Sequence, residues 1–252
     1  MTPAGLERLR IQAPVLSISA GAWILVAMEA TGMALPAFCS TGALWTAPSA
    51  SLDLVLALNP PGSLAAGWAL MLAAMMAPLL IVPVRHIRDR CLPRGRARVV
   101  ALFVAGYATS WMVAGAMLLA LAIAMRLAVP RAWLPLSAAA LPALVWQISP
   151  AKQICLNRCH LQPELAAFGL AADVDALHFG LTHGIWCVGS CWALMLLPLL
   201  VPHGHVATMA AVALWLFSER LERPTSPRWI WRGPGKAIRI VAARAGMRPR
   251  HR

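Results

Sequence analysis

The residues best suited to chemistry in this sequence are two Cys-x3-Cys pairs and one nearby histidine. The first pair is Cys155 and Cys159, in "CLNRC". The second pair is Cys187 and Cys191, in "HGIWCVGSC", a segment that His183 opens. Residues four positions apart on a helix share one face, with Cβ atoms roughly 5–6 Å apart, so each pair could ligate one ion. Thiolates and imidazole prefer soft or borderline metals, so the donor set predicts Cu(I) or Zn(II) rather than Mg²⁺ or Ca²⁺.

Methionines extend this candidate site at helical spacing. Met195 follows Cys191 by one turn, and Met71 and Met75 form a second pair in "GWALMLAAMMAP". Thioethers bind Cu(I) through weak, exchangeable bonds that suit the passage of an ion, so we favour Cu(I) over Zn(II). The alternative is that these methionines only fill space between packed helices, which methionine commonly does.

The cysteines also have alternatives. Cys39 and Cys91 each stand alone in the sequence, and a lone cysteine is most often a small packing residue. Static disulfides are disfavoured for the two pairs, because the topology derived below puts both near the reducing cytoplasm. Thiol redox chemistry, with the two pairs exchanging electrons with a quinone or a protein partner, stays open.

The elements that must position these residues are membrane helices. Of the 252 residues, 60% are hydrophobic and 12% are charged, whereas a typical soluble domain has about 25% charged residues. Six apolar segments approach the roughly 20 residues with which a helix crosses a bilayer. These segments are 13–35, 64–84, 99–126, 132–150, 179–200 and 205–220. The sequence therefore predicts an all-α, polytopic transmembrane helix bundle of about six helices.

Basic residues indicate how this bundle is oriented. Twenty of the 22 lysines and arginines fall near the N-terminus or in 85–98, 151–158 and 220–252. Because such residues concentrate in cytoplasmic loops, both termini are predicted to be cytoplasmic. Both cysteine pairs then adjoin the inner face. The loop between them contains Asp173, which we expect to be solvated.

We divide the chain into one transmembrane helical domain, residues 1–222, and a basic cytoplasmic tail, residues 223–252. The tail contains no acidic residue. The apolar residues of its "KAIRIVAARAGMR" part share one side, so we expect an interfacial helix on the anionic inner leaflet. The net charge of +13 does not indicate nucleic-acid binding, because the basic segments alternate with apolar ones.

Common catalytic motifs are missing from the sequence. It contains no nucleophile elbow, Walker A loop, Rossmann glycine pattern or His-Glu-x-x-His. A hydrolase or a nucleotide-dependent enzyme therefore has little support, and a non-enzymatic role is favoured.

Three sequence blocks resemble a bacterial family of predicted metal-binding integral membrane proteins, a domain of unknown function. The blocks are "WALMLAAMMAP" at 68–78, "WQISPAKQICLNRC" at 146–159 and "GLTHGIWCVGSCWALM" at 180–195. The likeness spans about 60–222 and includes Glu219. Ser190 stands where the family usually has the first of two adjacent cysteines, and Arg220 replaces a usual lysine. The resemblance implies metal binding by an inner-membrane protein.

These observations predict a multi-pass protein of the bacterial inner membrane that binds a soft metal, copper first, for handling, translocation or delivery. The expected ligands are Cys155, Cys159, Cys187 and Cys191, with His183 as the ligand nearest the cytoplasm and Met71, Met75 and Met195 as relay groups. The expected partners are the metal ion, the bilayer with its anionic inner leaflet, and a metallochaperone or membrane protein. Two alternatives stay open: a membrane thiol redox protein, and a structural or assembly subunit.

Overall fold

The computed structural model describes residues 3–30, 60–128, 133–201 and 203–231, with positions 235, 239 and 240. In the first helix it describes the side chains of 12–29. Within these residues every regular element is a helix and no strand forms, which confirms the predicted all-α fold. The helices are α1 Pro3–Ala30, α2 Pro61–Met76, α3 Ile81–Arg90, α4 Arg96–Ala128, α5 Leu134–Ile148, α6 Pro150–Arg158, α7 Gly169–Leu200 and α8 His205–Leu221, and the 3-10 turn Ala77–Leu80 joins α2 to α3.

Helices occupy the described parts of all six apolar segments, and four stretches are long and apolar enough to cross a membrane. These stretches are Gln12–Glu29, Pro61–Arg90, Arg96–Ala128 and Gly169–Leu200. The helices α5 and α6, bent by 66° at their junction, would together form a fifth, as a broken span or a re-entrant loop. The helix α8 has 17 residues, at the lower limit for a span. The fold is thus compatible with membrane insertion, and the six-span topology stays a prediction.

The bend between α5 and α6 is encoded by Ser149 and Pro150. Proline restricts the residue before it to extended backbone, and Ser149 accordingly has φ −69° and ψ 147°. Its side chain caps the new helix by accepting a hydrogen bond from the Lys152 amide at 3.1 Å. Pro150 begins α6, where the amide hydrogen it lacks is not needed. The polypeptide therefore turns sharply just before the first cysteine pair.

The helices α4 and α7 pack with their backbones in close contact and run in the same direction. A Cβ atom added at Gly106 of α4 would lie 2.6 Å from the Leu177 carbonyl oxygen, so only glycine fits. Further along both helices, Arg126 donates a hydrogen bond to the Leu199 carbonyl at 2.8 Å. Small residues permit this approach between membrane helices. The two helices α4 and α7 together position the second cysteine pair, which belongs to α7.

The N-terminal end of α7 differs from the sequence prediction. The helix begins at Gly169, ten residues before the predicted apolar segment 179–200. The expectation that Asp173 is solvated is wrong, because its side chain is buried against α4, where Arg98 Nη2 lies 2.5 Å from its Oδ2. This ion pair neutralises an acid that a hydropathy pattern assigns to a loop.

The start of the basic tail packs back onto the bundle. Asn157 of α6 donates a hydrogen bond to the Thr225 carbonyl at 2.7 Å, and the Ile230 amide donates to the Ile148 carbonyl at 3.3 Å. The predicted interfacial helix lies almost wholly outside the described residues, as does Cys39.

Candidate metal site

The two cysteine pairs approach each other around the side chain of Arg220, which is at the end of α8. Arg220 Nη2 lies 3.1 Å from the Cys187 sulfur of α7. The positive charge of Arg220 also acts on the Cys159 thiol, which directly follows α6. The packing of α6, α7 and α8 thus puts one thiol of each pair near Arg220, and a shared metal site stays a prediction.

Cys155, the other thiol of the first pair, is lodged against Gly189 of α7. A Cβ atom at Gly189 would lie 2.8 Å from the Cys155 sulfur, so the missing side chain makes room for this thiol. Trp146 of α5 fixes the same junction by donating a hydrogen bond from Nε1 to the Gly189 carbonyl at 3.0 Å. Cys155 therefore packs against the helical turn of α7 that lies between Cys187 and Cys191.

Cys187 and Cys191 are both buried, as expected for one face of a helix packed into a bundle. The Tyr107 hydroxyl of α4 lies 3.3 Å from the Cys187 sulfur. The Cys191 thiol donates a hydrogen bond to the Cys187 carbonyl at 3.0 Å. Cys187 thus has a hydroxyl and a guanidinium beside its sulfur, both of which can stabilise a thiolate.

Cys159 follows α6 directly, and its burial changes its acidity. Burial raises the pKa of the Cys159 thiol to about 12, although the positive charge of Arg220 acts in the opposite direction. The metal-free thiol is therefore neutral at pH 7. It has to release a proton when it binds a metal as a thiolate.

His183 lies one turn before Cys187 in a pocket of aromatic rings. Its ring centroid is 5.6 Å from that of Phe179 and 6.0 Å from those of Phe103 and Tyr107. The histidine is only 7% exposed, and its Nδ1 has no hydrogen-bond partner among the described residues. Most buried polar atoms have a partner, so this nitrogen is available to bind a metal ion.

The three predicted thioethers are buried in the same core cluster as Cys187 and Cys191. Met71 and Met75 come from α2 and Met195 from α7. The cluster also contains Met76 and Met209, which the sequence analysis did not select. The cluster therefore contains sulfur atoms from α2, α7 and α8, and also the Cys159 sulfur at the end of α6.

A polar network anchors α6 beside the thiols. Lys152 is fully buried, and its Nζ lies 2.8 Å from Glu219 Oε1 and 2.5 Å from Gln147 Oε1. Gln147 and Trp215 also donate hydrogen bonds to Glu219. The negative charge of Glu219 is thereby compensated by Lys152. Sequence reasoning missed this role of Lys152, for which a lysine directly after an apolar segment was the available signal.

The described thiols do not form a closed ligand shell, and Cys187 is the one that contacts the guanidinium of Arg220. Among the described residues, no three histidine, cysteine or acidic side chains are grouped closely enough to hold one ion together. The described cysteines are free thiols. The donor set suits a soft ion that needs few ligands.

Comparison with known proteins supplies an independent indication. No curated protein and no solved structure matches the chain. The model of the PpoB2 family, described as copper chaperones, matches residues 65–244, which include every described helix from α3 to α8 and both cysteine pairs. The chain therefore belongs to this family of copper chaperones.

Proposed function

We propose that this chain is a multi-pass inner-membrane copper chaperone whose paired cysteines hold Cu(I) for delivery to a protein partner. The observation that carries the proposal is the approach of thiols from two helices to one buried position. Cys187 of α7 lies 3.1 Å from the guanidinium of Arg220, and Cys187 and Cys159 belong to the same buried core cluster. Membership of a copper chaperone family supports copper as the metal.

The donor chemistry favours Cu(I) over Zn(II). Thiolates and thioethers are soft ligands that select Cu(I), whereas a structural zinc site is closed by four ligands. Thiols that approach in pairs leave room for ligand exchange with an incoming partner. Such exchange is what a chaperone needs, because its metal must leave again.

His183 and the buried methionines have secondary roles in this proposal. The unpartnered Nδ1 of His183 makes the imidazole available as a further ligand one turn from Cys187. Met71, Met75 and Met195 share the core cluster with Cys187 and Cys191 and would pass the ion on through weak thioether bonds.

The proposed membrane topology has both termini in the cytoplasm and a lipid-facing tail on the anionic inner leaflet. The parallel course of α4 and α7 supports it, because the third and fifth spans of an alternating bundle run in one direction. The basic residues of 85–98 and 220–252 then face the cytoplasm. A cytoplasmic metallochaperone or another membrane protein would exchange copper with the thiols.

Titration of the purified, reduced protein with Cu(I) against a chromophoric chelator tests this proposal. We expect the wild type to compete for Cu(I), and Cys187→Ser and Cys159→Ser each to lose that competition, because a hydroxyl is a poor ligand for a soft ion. Cys91→Ser is the matched control. Cys91 is also a buried thiol, but it belongs to a separate core cluster with Phe103 and Phe179.

Equal loss of Cu(I) in Cys91→Ser and Cys187→Ser would contradict the proposed ligands. A wild type that binds no Cu(I), together with a mixed disulfide trapped between Cys187 and a partner in cells, would instead favour the thiol redox alternative.

A further inference from the structure

Among the described residues, the guanidinium of Arg220 contacts the Cys187 sulfur and no carboxylate. Its Nη2 lies 3.1 Å from the Cys187 sulfur and 3.4 Å from the Ser190 hydroxyl. None of the ion pairs formed among the described residues includes Arg220. The neighbouring acid, Glu219, points to Lys152. The partly buried guanidinium therefore faces the Cys187 sulfur and the Ser190 hydroxyl.

We infer that Arg220 makes the site selective for monovalent metal ions by neutralising the anionic complex that two thiolates form with Cu(I). This inference rests on the proposed function. One Cu(I) and two thiolates carry a net charge of −1, so the adjacent guanidinium brings the buried assembly to zero. A divalent ion with the same two thiolates forms an uncharged complex, so it leaves Arg220 uncompensated, as in the metal-free protein. Only the monovalent ion gains the attraction between the guanidinium and an anionic complex.

Ser190 orients the guanidinium for this role. Its hydroxyl donates a hydrogen bond to the Cys187 carbonyl at 2.7 Å and lies beside Arg220 Nη2. The serine therefore ties the arginine to the same helical turn that carries the thiol. An N–H group directed at a thiolate sulfur can stay there while the other side of the sulfur binds a metal, so Arg220 need not leave when the ion enters.

Competition titrations with Cu(I), Ag(I), Zn(II) and Cd(II) on the reduced full-length protein test the inference. In Arg220→Met we expect the affinities for Cu(I) and Ag(I) to fall by about tenfold or more, and those for Zn(II) and Cd(II) to stay or rise. Arg220→Lys keeps the charge and should preserve the order of the four metals. Arg223→Met, which removes an exposed arginine three residues further on, is the matched control.

A second variant tests the same charge without removing the arginine. Ser190→Asp puts a carboxylate where the hydroxyl lies 3.4 Å from Arg220. The new acid should pair with Arg220 and shift selectivity toward divalent ions, as in Arg220→Met. Because the result is a ratio of affinities measured on one folded sample, a general loss of stability does not imitate it.

The outcomes separate this inference from the function on which it rests. If the wild type binds no Cu(I), the proposed function fails. If the wild type binds Cu(I) while Arg220→Met and Ser190→Asp weaken all four metals equally, or change none, then only the role of Arg220 is contradicted.

Discussion

At the scale of single residues, His183 is the clearest sign that the site is more than packing. Its pocket of Phe103, Tyr107 and Phe179 would accept another aromatic ring. The imidazole instead leaves a buried nitrogen without a partner among the described residues, which typically costs about 1–3 kcal/mol. Keeping a polar ring at that cost is understandable if its nitrogen has a ligand to bind.

Replacing His183 by phenylalanine separates the two explanations. In His183→Phe the free energy of unfolding should stay the same or rise by about 1 kcal/mol, because an unpartnered polar atom is removed. The affinity for Cu(I) should fall by about tenfold, as is common when a group supporting a metal site is lost. Denaturant unfolding in detergent and Cu(I) competition measure the two quantities. An unchanged affinity for Cu(I) would mean that His183 only fills space in the aromatic pocket.

The sequence predicted which thiols share a helix face better than it predicted the side chains that surround them. The helical period suffices to put Cys187 and Cys191 on one face, and both are buried together. Arg220 could not be assigned to them, because its position depends on where α8 ends relative to α6. In the sequence it was only a departure from a family pattern. Ser190 was the other departure, and the two side chains contact each other at 3.4 Å.

At the scale of helices, the site depends on how closely α6 can approach α7. Gly189 provides that contact, since it has no side chain to exclude the Cys155 sulfur. The Trp146 hydrogen bond to the Gly189 carbonyl holds α5 at the same junction. Adding one methyl group should therefore displace the first cysteine pair from the second.

Gly189→Ala should weaken Cu(I) binding by several-fold, because its Cβ atom would lie 2.8 Å from the Cys155 sulfur. The thiol can rotate away, so we expect the helices to stay folded and the change in stability to be below about 1 kcal/mol. Cu(I) competition and circular dichroism are the measurements. Gly21→Ala is the control, since nothing lies within 4 Å of a Cβ atom there. Equal Cu(I) affinities in the two variants would show that Gly189 does not position Cys155.

Helix boundaries were predictable only where they follow hydropathy. The segment predicted at 132–150 ends in the structure at Ile148, and α6 begins at Pro150. The Ser149–Pro150 dipeptide is a helix-start signal, but a search for apolar segments does not register it. The early start of α7 was also missed, because hydropathy does not mark its first ten residues as part of the apolar segment. Asp173 makes that stretch polar, and its pairing with Arg98 depends on tertiary packing.

At the scale of the whole molecule, composition and charge were sufficient to predict an all-α chain with several helices suited to a membrane. They could not predict which helices pack together. Gly106 and Gly180 mark backbone contacts in the structure, yet a glycine in a membrane helix indicates a close neighbour without identifying it. The contacts of Cys187 with Arg220 and of Cys155 with Gly189 could therefore be identified only from the fold.

The central claim is that sulfur atoms of both cysteine pairs hold copper. Copper K-edge X-ray absorption on the reduced, copper-loaded full-length protein tests it directly. We expect Cu(I) with about two or three sulfur neighbours. That shell should be lost when Cys155, Cys159, Cys187 and Cys191 are replaced by serine. A first shell of nitrogen and oxygen alone, or a sulfur shell that survives these replacements, would contradict the claim.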